Sequence, residues 1–175
     1  MVLNIGIYNS NEAISGNIYY TKWKSMLVRC YDTNYHKRQP SYIGVTVCPE
    51  WLTYSNFKSW MVEQEFKGLQ LDKDLLGLDS RIYSPDTCCF IPSILNTLIQ
   101  KTLPPKANYG GKYRVQIKIN SKTTHVGIYN TLSEAQVAYN IAKASKLLEF
   151  INTGLPDHIE TAIYLYQERM LGGVL

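Results

Sequence analysis

Apolar positions in this chain recur with two different periods. From Ile18 to Cys30 they fall three and four apart, with Trp23, Met26, Leu27 and Cys30 on one side, which predicts a helix. Ile43–Val47 reads as a short strand. Thr53–Glu65 is helical again, with Tyr54, Phe57 and Trp60/Met61 at three-to-four spacing. Past Lys112 the period drops to two. Tyr113, Val115, Ile117 and Ile119 face one side, and Arg114, Gln116 and Lys118 face the other. Asn120-Ser121-Lys122 makes a turn, and Thr123–Tyr129 returns as the partner strand. Strict alternation puts Val126 and Ile128 on the buried side of that strand.

Thr131-Leu132-Ser133-Glu134 is a capping box, in which the threonine oxygen accepts the Glu134 amide and the glutamate reaches back. The helix it opens, Leu132–Phe150, carries Ala135, Ala138, Tyr139 and Ala142 on one face, small enough to lie close on the apolar side of the sheet. From Leu155 onward a further short helix is predicted, with Ile159, Ile163 and Tyr166 turned inward. The fold class is α+β, ending in a small antiparallel sheet packed on one helix. The other face of that sheet is left open.

Composition bounds the possibilities. With 175 residues, 45% of them apolar, the chain suits one large or two small domains. No apolar run approaches the ~18 residues of a membrane span. MVLNIGIYNSNEAISGN lacks a basic start followed by an apolar stretch, so no secretory signal is expected. Cys30, Cys48, Cys88 and Cys89 lack the spacing of a disulfide framework and fit reduced thiols in a cytoplasmic protein. Residues 19–60 are dense in aromatics, most simply a small core.

Charge sharpens this picture. Residues 61–100 hold three basic and six acidic side chains, whereas residues 101–150 hold eight basic and two acidic. The sign changes beside Pro104-Pro105 and Gly110-Gly111, which places a first domain at 1–100, a linker at 101–112 and a second domain at 113–175. The open sheet face then falls in the basic part. Arginine can bond guanine bidentately, glutamine can do the same for adenine, and lysine neutralises phosphate. Lys112, Arg114, Gln116, Lys118 and Lys122 are the candidate DNA-binding residues, Thr123 and His125 share the open face, and double-stranded DNA is the expected partner.

The stretch KYRVQIKINSKTTHVGIYNTLSEAQVAYNIAKASKLLEF resembles the Apetala-two/ethylene-response-factor DNA-binding domain, whose phage and bacterial relatives occur in homing endonucleases. That resemblance implies a three-stranded sheet entering the major groove, with base or phosphate contacts from Arg114, Gln116, Lys118, Thr123 and His125. The family pattern buries Val126 and Tyr129 around a glycine rather than Val126 and Ile128, and a bulge at Gly127 would reconcile the two.

Upstream, Leu71-Asp72-Lys73-Asp74, then Tyr83-Ser84-Pro85-Asp86-Thr87-Cys88-Cys89-Phe90, Pro92 and Asn96 resemble the ββα-metal core of HNH nucleases. With W-K-S-M-L-x-R-C-Y and V-C-P-E-W, the chain is similar to phage proteins grouped with HNH homing endonucleases. The resemblance implies a catalytic set of Asp72, Asp74 and Asn96, with Asp72 and Asp74 on one face of a strand binding Mg2+ or Mn2+. It also meets a departure. Where an active site of this kind has a histidine to activate water, this chain has Lys73, flanked by carboxylates that favour its charged form. His36 is the alternative base. Zinc held by Cys30, Cys48 and Cys88 or Cys89 is a further candidate, although no CxxC knuckle is present. The expected protein is a DNA-binding, homing-endonuclease-derived chain of phage or mobile-element origin with a degenerate nuclease site, acting as a repressor. An active metal-dependent HNH homing endonuclease and a protein–protein interaction or inhibitor module are the alternatives.

Overall fold

A computed structural model of the chain describes residues 1–78, 80–100, 107–108, 110–119 and 121–172. The expected linker 101–112 and the expected turn residue Asn120 lie partly or wholly outside those residues. The chain is α+β and divides into two compact units, Met1–Ile91 and Pro92–Leu175.

In the first unit Asn17 starts helix α1 (Ile18–Tyr31), its side-chain oxygen accepting the Tyr20 N–H at 3.0 Å. The buried face is the one its spacing predicts: Trp23, Met26, Leu27 and Cys30, joined by Tyr20. Asp32 ends α1 and caps α2 (Thr33–Arg38) by accepting the Tyr35 N–H at 2.6 Å. The expected strand Ile43–Val47 is shorter. Pro40 opens a 3-10 turn, Gly44 takes a positive φ of 80°, and only β1 (Thr46–Val47) is extended.

A second 3-10 turn, Pro49–Leu52, leads into α3 (Tyr54–Val62), which buries Tyr54, Phe57 and Met61. It ends before the expected Glu65. Then come β2 (Gln70–Asp72), the helical turn α4 (Asp74–Gly77), β3 (Ile82–Tyr83) and β4 (Cys89–Ile91). β1 pairs parallel with β3, and β2 pairs antiparallel with β4 from Gln70↔Ile91 to Asp72↔Cys89. The aromatics of this half do form its core. Trp23, Trp51, Tyr54, Phe57 and Tyr83 are fully buried, and the Trp23 indole N–H donates to the Trp51 carbonyl at 2.7 Å.

The second unit begins earlier than the charge pattern suggests. Helix α5 (Ser93–Ile99) buries Leu95, Leu98 and Ile99, and packs with β6 (Lys112–Ile119) and α6 (Leu132–Leu148). Between these lie β5 (Ala107–Asn108) and β7 (Lys122–Tyr129), and α7 (Asp157–Leu171) closes the unit. Two hydrogen bonds hold the end of α5 here: the Tyr166 hydroxyl donates to the Ile99 carbonyl, and Lys143 Nζ donates to the Gln100 carbonyl at 2.8 Å. Charge and proline content report composition, whereas the division follows packing, so α5 joins the domain its apolar face serves. The tail helix buries Ile159, Ile163 and Tyr166 as predicted, together with Ala162 and Met170.

Candidate nucleic-acid interface

The sheet of the second unit has the order β5-β6-β7, antiparallel throughout. β6 keeps its predicted alternation: Val115 and Ile117 are buried, while Gln116 and Lys118 are exposed and Arg114 is half-buried. Helix α6 covers the apolar side of β6 and β7, burying Ala135, Ala144 and Leu147. Its start is the predicted capping box. Thr131 Oγ1 accepts the Glu134 N–H at 3.2 Å, and Glu134 Oε2 accepts the Thr131 N–H at 3.1 Å.

β7 departs from strict alternation. Val115 pairs with Gly127 and Gln116 with His125, so Val126 is an extra residue in a β-bulge. Past the bulge the faces exchange. Ile128, which strict alternation puts inside, pairs with Arg114 and is 52% exposed, whereas Tyr129, which the resemblance puts inside, pairs with Tyr113 on the helix side. Gly127 does not itself carry the bulge; it makes room for it. A Cβ there would stand 2.7 Å from the Tyr129 hydroxyl oxygen and 2.9 Å from Cζ, so the tyrosine ring lies over a position only glycine leaves open.

Cross-strand pairing assembles most of the expected DNA-binding residues on one face. Gln116↔His125 and Lys118↔Thr123 are direct partners, and Lys112, paired with Asn108, and Arg114 continue the row along β6. Neither β6 nor β7 contains a carboxylate. With its amide oxygen turned toward Arg114, Gln116 accepts from Nε at 3.2 Å and from Nη2 at 2.9 Å, so the guanidinium is held along the strand. Lys122, expected in the same set, pairs with Ile119 and stands on the other side of the ribbon beside the hairpin turn.

The basic excess is also redistributed. Lys143 is only 5% exposed, and burial lowers its pKa to about 8; its ammonium serves the Gln100 carbonyl. Lys146 pairs with Glu149 at 2.6 Å. Lys101 and Lys106 lie outside the described residues. Among the described residues of 101–150, the cations not on α6 are Lys112, Arg114, Lys118 and Lys122, all on the hairpin.

The expected nuclease residues have a different geometry. The strand ends at Asp72, so Asp72 and Asp74 do not share a strand face: Asp74 begins α4. Asp72 is 4% exposed, and its Oδ2 accepts the first two N–H groups of α4, those of Asp74 and Leu75, both at 2.8 Å. Asp74 is the ion-pair partner of Lys73, which stands over the Tyr83 ring at 5.9 Å. Asn96 belongs to the second unit, on α5. His36 donates from Nε2 to the Arg29 carbonyl at 2.9 Å. Among the described residues no three His, Cys, Asp or Glu side chains gather as a metal-binding group. With one carboxylate oxygen committed to the α4 backbone and the other acid paired to lysine, this set does not fit a divalent ion. Burial also holds the thiols protonated, pushing Cys30 and Cys88 up to about 12 and raising Cys48 and Cys89.

Burial acts on Asp72 as well. It raises the carboxyl to about 6, against the two backbone N–H groups that favour its charge. A carboxyl raised on folding contributes stability that is complete below its unfolded pKa near ~4 and is lost as pH rises through 6. Asp72→Asn keeps an oxygen for the Asp74 and Leu75 N–H groups without the buried charge. It is expected to stabilise the protein by about 2–3 kcal/mol at pH 7 and to leave stability unchanged below pH ~4. Thermal unfolding across pH checks this. A destabilised variant, or a rise in melting temperature with Mg2+ that only the wild type shows, would reverse the assignment.

Comparison with protein-family models, with curated proteins and with solved structures finds no match to this chain. Among the described residues no helix is long and apolar enough to cross a membrane.

Proposed function

We propose that this protein binds double-stranded DNA with a sequence preference, through the open face of the β5-β6-β7 sheet, and acts by occupying its site as a repressor does. The observation that carries this reading is the register of β6 and β7. It aligns Lys112, Arg114, Gln116, Lys118, Thr123 and His125 on the face opposite α6, in two strands without a carboxylate. Cations there release counterions from phosphate, and the Arg/Gln pair supplies the planar donors and acceptors that read base edges. The two long strands of the sheet, β6 and β7, form a ribbon of the kind the major groove admits.

The first unit is best read as an HNH-like scaffold without cleavage. In its favour is the antiparallel β2–β4 pair, the two strands the resemblance implies, although α5, the helix that follows them in the chain, packs in the second unit. Against cleavage is the commitment of Asp72 to the Asp74 and Leu75 N–H groups.

The test is selection of bound duplexes from a random pool, followed by titration and a cleavage assay on the winner. Binding should weaken steeply with salt. Lys118→Ala should weaken binding to the winner and to unrelated duplexes alike, and lower the salt slope by about one. A palindromic winner indicates a dimer. No retardation at low salt refutes the proposal, and Mg2+- or Mn2+-dependent nicking lost on Asp74→Ala restores the endonuclease.

A further inference from the structure

The bulge at Val126 places one apolar side chain in the middle of an otherwise polar, basic face. Ile128 is exposed there and directly opposite Arg114, which puts the two Cβ atoms about 5 Å apart. A single exposed isoleucine is ordinary on a protein surface. This one is held outward by construction. The Tyr129 ring covers Gly127, and the extra residue Val126 shifts the register so that Tyr129 turns in and Ile128 out. Bulges re-aim side chains in this way.

Resting on the DNA-binding reading above, we infer that Ile128 is a specificity-determining residue that reads a thymine methyl group in the major groove, beside the base pair met by Arg114. The partner is fixed by chemistry. The face is cationic and free of carboxylates, so its occupant is a polyanion, and the thymine C5-methyl is the apolar group that an unmodified duplex displays in the major groove. The spacing agrees: about 5 Å between side-chain roots is one to two base-pair steps of ~3.4 Å. Arg114 and Ile128 together therefore favour targets in which a guanine lies next to a thymine.

The experiment uses the full chain and the duplex recovered from the random pool, with each thymine replaced in turn by uracil, which lacks only the methyl group. At one position, near a guanine whose 7-deaza replacement also weakens binding, uracil should cost the wild type about fourfold in affinity, the worth of one buried methyl. Ile128→Ala should lose about the same on the thymine duplex and show no further loss with uracil, while Ile128→Val retains part of the discrimination. Ile128 is exposed, so these variants should match the wild type in melting temperature, and a variant that does not is replaced by the valine form in the comparison. Salt-sensitive binding with every uracil substitution neutral overturns the role of Ile128 and leaves the DNA-binding reading standing. Absence of salt-sensitive duplex binding overturns both. Sedimentation showing that Ile128→Ala abolishes self-association, with the uracil effect unchanged, assigns the residue to a protein contact instead.

Discussion

Arg114→Ala should weaken binding to the selected duplex by about 1–3 kcal/mol, a loss of roughly five- to 150-fold, and should flatten the preference at one base pair. The size follows from what the side chain offers. A guanidinium presents planar paired donors that match the acceptor edge of guanine, and Gln116 already holds Nε and Nη2 of this one, at 3.2 and 2.9 Å. Little rotamer freedom then remains to be lost on binding. Arg114→Lys should recover the charge but not the preference, because an ammonium lacks the fork. Fluorescence anisotropy on the winner and on a duplex changed at that base pair checks both. An equal loss on the two duplexes with a reduced salt slope would make Arg114 a phosphate contact, like Lys118.

Trp23→Ala should destabilise the first unit by about 3–5 kcal/mol, the cost of emptying a large buried aromatic site. Trp23 is 0% exposed, its ring meets Tyr54 edge-on at 5.5 Å, and its N–H satisfies the Trp51 carbonyl. The variant leaves that carbonyl without its donor as well as a void. Against a typical stability of 5–15 kcal/mol, such a loss brings the unit close to unfolding. Tryptophan fluorescence isolates the effect, since Trp23, Trp51 and Trp60 all lie in the first unit. The urea midpoint read at tryptophan should fall sharply, while duplex affinity below that midpoint stays within about twofold, as expected when the reading surface lies in the second unit. A parallel loss of affinity in folded protein would make the first unit part of the DNA contact.

Long periodic segments were legible in the sequence because one apolar face suffices to specify them. α1, α3, β6, α6 and α7 appear where their spacing predicts, to within a few residues at their ends, and the Thr131–Glu134 capping box forms as its residues require. Short elements were less so. The strand expected at Ile43–Val47 shrinks to two residues, because a two-residue strand is defined by its partner Ile82–Tyr83 rather than by any period of its own. The Asp72–Asp74 pair shows the same limit. Alternation puts two acids on one face only if the strand continues through Lys73, and the backbone instead turns into α4, whose first two N–H groups Asp72 accepts.

By itself the sequence determined an α+β chain with an aromatic core in its first half and a basic hairpin packed on a capped helix in its second. Those features depend on local periodicity and composition, which are written residue by residue. Tertiary structure alone decided that α5 belongs to the second unit and that Lys143 is buried, and it chose between the two patterns the sequence allowed for β7, turning Ile128 rather than Tyr129 outward. Each depends on what a residue meets far along the chain. Tyr166 and Lys143 claim the end of α5, and the register of β7 against β6 places one extra residue at Val126, which exchanges the two faces of everything after it.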